Sequence, residues 1–79
     1  MTVFPGEQRP DVQFHEDVAR ERANVTEAHL AVARAYHAAE HTGTQTFAWL
    51  RDHRDCSEPL AFAIAERACP EDPPRILWR

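Results

Sequence analysis

The chain contains no lysine; all nine of its basic residues are arginine. Set against 13 acidic residues they leave a formal net charge of −4. It therefore lacks the basic face with which general nucleic-acid binders neutralise phosphates. Long hydrophobic runs are missing too. The longest strongly apolar stretch, Leu60 to Ala65, falls far short of the roughly 20 residues of a membrane span. The opening Met-Thr-Val-Phe-Pro-Gly-Glu has neither the basic nor the apolar region of a signal peptide. Cysteine is limited to Cys56 and Cys69, which do not make a disulfide framework. A helix between them would hold them about 20 Å apart, whereas a bridge needs Cα atoms within about 7 Å. Reduced thiols fit a cytoplasmic protein. Isoleucine and asparagine are scarce and alanine abundant, a bias of GC-rich bacterial or phage genomes.

Seventy-nine residues make one domain at most. A chain of this size hides only about 60 % of its unfolded surface, so the core is thin and a partner would add stability. The apolar fraction of 43 % is adequate for a globular fold, and 28 % charged residues do not signal disorder.

What is present is helical patterning. From Asp11 to Thr42 there is no proline or glycine, and Val18, Val25, Val32 and Ala39 recur at seven-residue steps. Phe14, Ala28 and Ala35 fall at the fourth heptad position, with His15, Arg22, His29 and Tyr36 on a flanking row. The spacing predicts one long amphipathic helix from an Asp11 cap to a C-terminal glycine at Gly43. Asn24-Val-Thr-Glu27 has the form of a capping box and marks the one place where that helix could break. Unbroken, it would be about 50 Å long, more than the remaining residues can cover. Its N-terminal half would then need another chain.

Two shorter helices are expected to fold over its C-terminal half. The first runs from Gln45 to Arg54, capped by Thr44 or Thr46, with Phe47, Leu50 and Trp49 inward. The second runs from Glu58 to Cys69, capped by Ser57, with Pro59 in its first turn. Leu60-Ala-Phe-Ala-Ile-Ala is apolar nearly all round, the mark of a buried helix. The architecture is thus all-α: an extended arm over 1–10, a helical domain over 11–69, and a proline-rich tail over 70–79 anchored by Ile76, Leu77 and Trp78.

His37-Ala-Ala-Glu40-His41 fits the H-x-x-E-H pattern of inverted zinc proteases. On a helix the two histidines share a face, but Glu40 points elsewhere and a third ligand and a cleft are lacking. The expected setting is a solvated flank beside Leu30 and Arg34, with metal binding or sensing through His37 and His41 as the alternative. Cys56 lies near a helix start with His53 three residues earlier, yet in a turn without a pocket this carries no catalysis. The last two helices outline a helix-turn-helix, but the second presents Leu60, Phe62 and Ile64 where base-reading side chains should stand. A DNA-binding regulator is a third reading, resting on Arg51 and Arg54.

The reading that remains is a small non-enzymatic interaction protein, an adaptor, regulator or phage-type inhibitor. It would bind another protein, use no cofactor, and pair with a second copy of itself. The interface residues expected are Phe14, Val18, Val25, His29, Val32 and Tyr36 on the stripe, and Trp78 on the tail. Acid, by charging His29 on that stripe, is expected to weaken self-association.

Overall fold

A computed structural model describes residues 10–75. Among them every regular element is helical: α1 (Pro10–Glu21), a 3₁₀ turn (Arg22–Asn24), α2 (Glu27–Ala38), α3 (Gly43–His53) and α4 (Glu58–Ala68). Of the arm expected over 1–10, Pro10 instead opens α1, so Asp11 lies inside that helix rather than capping it; the rest of the arm and the Ile76, Leu77 and Trp78 anchor lie outside the described residues. No helix among the described residues is long and apolar enough to cross a membrane.

The single long helix expected from the heptads is two helices. After the 3₁₀ turn Val25 is extended (φ −75°, ψ 127°), and Thr26 starts α2 as its N-cap. The capping box is not Asn24 to Glu27 but Thr26 to His29. The Thr26 hydroxyl accepts from the His29 amide at 3.1 Å, and the Thr26 amide donates to His29 Nδ1 at 3.2 Å. Asn24 instead donates to Glu21 at 2.9 Å. The break has a packing reason. Helices of 12 residues are about 18 Å long and can each lie along α4, which one rod of twice that length could not.

The other boundaries also shift. Gly43 is not a left-handed C-terminal glycine; α2 ends at Ala38, and Glu40 takes the left-handed conformation (φ 73°). Gly43 opens α3, capped by Thr42 rather than Thr44 or Thr46. Thr42 and Gln45 form a reciprocal capping box. Thr46 is fully buried, and its hydroxyl donates to the Thr42 carbonyl at 2.9 Å. Glycine is required at position 43 for another reason: a Cβ there would overlap the Asp72 carbonyl oxygen. Asp72 Oδ2 accepts from the Gly43 amide at 3.0 Å, and the Arg75 amide donates to Thr44 Oγ1 at 3.0 Å. With Pro74 buried, residues 70–75 strap down onto the start of α3.

The sequence correctly marks α4 as the buried helix, capped by Ser57 and tolerating Pro59 in its first turn. It is not one of two helices laid over a longer one, however. It is the hub, packed against α1, α2, α3 and the 3₁₀ turn. Ala61 through Ala65 are all buried, and the alanines let three helices approach a single axis. Phe62 joins the layers, meeting Phe14 of α1 edge-on at 5.2 Å and Phe47 of α3 at 5.5 Å. Such pairs add about 0.5–1.5 kcal/mol each beyond their area burial.

Candidate interaction surface

The apolar stripe divides along its length. Phe14 and Val18 are in the core, so the cover expected from a second chain is supplied for them by α4. Val25 packs half-buried against the same core. Beyond the break the register changes, because α2 buries only Leu30 and Ala33. Leu30, expected on a solvated flank, is a core residue. The heptad positions turn away from it. Val32 is half-buried, while Ala28, Ala31, Ala35, Ala38 and Ala39 are exposed. Spaced by three and four residues, these side chains form one outward face without a charge at its centre.

His29 and Tyr36 bound this face, each half-buried. His29 serves as the N3 acceptor of the α2 cap, so its Nδ1 carries a lone pair and its Nε2 the proton. The ring is thus tied to the start of α2 and is half-buried there, not enclosed in a fully buried seam.

Tyr36 lies in a ladder of rings. It stacks on His41 at 3.8 Å and on Trp49 at 4.3 Å, with interplanar angles of 10° and 4°. Arg54 extends the ladder over the Trp49 ring at 5.9 Å. The ladder fastens the loop after α2 onto α3. His41 Nδ1–H donates to the Tyr36 carbonyl at 2.8 Å, and His37 Nδ1–H to the His41 carbonyl at 2.7 Å. A carbonyl only accepts, so both rings carry their proton on Nδ1 and leave Nε2 open in the neutral form.

The helical face once expected for His37 and His41 does not exist, since α2 ends before His41. Among the described residues no group of three or more His, Cys, Asp or Glu is placed to hold a metal. Arg51, of the DNA reading, is exposed but engaged by its own chain: its Nε meets Asp52 at 2.9 Å, its Nη1 reaches Glu58 at 3.5 Å, and its guanidinium lies over the Phe47 ring. The Arg51 hydrogen bond holds the Asp52 carboxyl below the usual carboxylate range.

Both cysteines are free. Burial pushes the Cys69 thiol up, opposed in part by the nearby Thr46 hydroxyl. Cys56 is half-buried and also pushed up by burial, the reverse of the activation a nucleophile needs. With Ala28, His29, Val32, Leu50 and Arg54 it lines a pocket of about 140 Å³ at the edge of the α2 face.

Sequence reasoning missed Leu30 and Ala33 as core, and with them the direction α2 faces. The signal for Thr42 was there, since Thr42-Gly-Thr-Gln45 is a capping box in form. Thr26-Glu-Ala-His29 departs from that form because histidine replaces the usual Glu or Gln. Comparison with known protein families, with characterised proteins and with solved structures finds no match for this chain.

Proposed function

We propose that the chain is a small non-enzymatic interaction module. It binds a helix of another protein, and a second copy of itself, through the outward face of α2. One observation carries this reading: Ala28, Ala31, Ala35 and Ala39 are exposed and, with half-buried Val32 beside them, form an uncharged face. Side chains this small let a facing helix approach closely, and the pocket beside Val32 gives one larger partner side chain a place to enter. The module would act by occupancy, as an adaptor, regulator or inhibitor does.

Sedimentation and capture from a host lysate test it with Ala35→Glu. Residue 35 is exposed, so the variant should melt with the wild type. Self-association and partner capture should both fall away. If wild type is monomeric at every concentration and captures the same proteins as the variant, the reading fails.

A second reading, metal binding by His37 and His41, draws support from their shared tautomer. A histidine that donates Nδ1–H to a carbonyl presents Nε2 as metal-binding histidines do. Zinc titration monitored through the imidazole resonances tests it. Saturable shifts confined to these two rings would favour it, and unchanged spectra would dismiss it.

A further inference from the structure

We propose that the cleft between the 3₁₀ turn and the outer edge of α4 binds a monocarboxylate bearing a short aliphatic chain. The cleft has a volume of about 260 Å³ and is lined by Arg22, Val25, Ala63, Glu66 and Arg67. Arg22 comes from the turn, and its Nε donates to Glu66 Oε2 of α4 at 2.8 Å. That contact fixes the guanidinium and leaves its two terminal nitrogens available. Arg67 follows Glu66 on α4, is exposed, and makes no ion pair among the described residues.

Charge decides the ligand's sign and valence. Two guanidinium groups and one carboxylate leave the cleft one unit positive in a chain that is negative overall. A monoanion brings it to neutrality, an ammonium group adds to the excess, and a dianion overshoots. A carboxylate is also the planar partner that a guanidinium forks with two parallel hydrogen bonds. Because Glu66 already holds Arg22, less side-chain entropy is lost when the ligand arrives.

The remaining lining decides the rest of the ligand. Ala63 is buried and Val25 half-buried, so the cleft has an apolar floor beside its charged rim. A chain of a few carbons is favoured there over acetate, by about fourfold for each methylene it covers. Two other cavities among the described residues lack this combination. In the groove beside the aromatic ladder, Asp52 is already bonded by Arg51. In the pocket at Cys56, the arginine lies over a tryptophan ring.

A free short-chain acid and the C-terminus of a peptide ending in a small aliphatic residue present the same chemistry. Amide spectra recorded during titration with butyrate, acetate, butylamine, and a valine-ending peptide in free-acid and amidated forms separate them. Butyrate should give saturable shifts at Val25, Ala63 and Arg67, tighter than acetate, with none from butylamine. The free-acid peptide binding more tightly than butyrate, and its amide not binding, assigns the site to a chain terminus; butyrate binding alone assigns it to a free acid. Arg67→Gln should weaken butyrate at least tenfold with no change in melting temperature, and Arg22→Gln should do the same. No saturable shift with any carboxylate, equal shifts with butylamine, or unchanged affinity in both variants overturns the proposal.

Discussion

Helices α2 and α4 are nearly equal in length and similarly rich in alanine, yet they meet opposite fates. In α4 the alanines Ala61, Ala63, Ala65 and Ala68 are buried; in α2 only Ala33 is, while Ala28, Ala31, Ala35 and Ala38 face water. In α4 a missing side chain is space that a neighbouring helix occupies. In α2 it is bare surface. The contrast shows that alanine reports close approach only where a second element arrives, and that is a property of the assembly.

The contrast can be broken most forcefully through aromatics. Phe62→Ala should cost about 3–5 kcal/mol, because the side chain holds α1 and α3 to the hub. That approaches the whole stability of a domain this small. Tyr36→Ala on α2 removes two stacking contacts at a half-exposed site and should cost about 1–3 kcal/mol. Urea unfolding of both variants measures the difference, and equal losses would refute the hub.

Enlarging alanine sharpens it. Ala65→Leu has no room and should destabilise by about 1–3 kcal/mol. Ala35→Leu should stay within about 0.5 kcal/mol, as exposed positions do. Calorimetric melting of the pair decides it.

Both α2 and α4 have an N-cap whose removal costs about 1 kcal/mol, but the reach should differ. Thr26→Ala should raise hydrogen exchange mainly within α2. Ser57→Ala, at the start of the hub, should raise it across all four helices. Identical exchange patterns would mean the two helices are equally central.

The smallest effect concerns acid. Arg51 binds Asp52 and reaches Glu58 at the first turn of α4, whereas no ion pair among the described residues braces the first turn of α2. The folded carboxyl of Asp52 sits below its ordinary value, so its contribution is present above the usual carboxylate range. It is lost as pH falls through the depressed value. Both groups are exposed, so the effect is slight. Asp52→Asn should flatten the acid limb of a melting-temperature profile a little, and an unaltered profile would show that the pair contributes nothing.

Much of this was legible in the chain. The all-helical class, the buried character of Ala61 to Ala65, the Ser57 cap and the inward Phe47 and Leu50 follow from periodicity, capping chemistry and composition. Those act within a few residues of chain, and sequence displays them directly. The heptad continuity of Val18, Val25 and Val32 misled because a repeat that runs through a break looks the same as one that runs through a helix. Likewise the histidines at 37 and 41 read as one face only while the helix was assumed to reach Gly43.

Sequence alone thus determined the all-helical class and which helix would be most buried, because these depend on local propensity and on apolar content. Tertiary structure decided that the long helix breaks, that α4 is the hub, and that α2 turns Leu30 inward and its alanines outward. It also brought Arg22 to Glu66, 44 residues away, and Gly43 against Asp72. These depend on which surfaces the folded chain brings into contact, and distance along the sequence carries no trace of that.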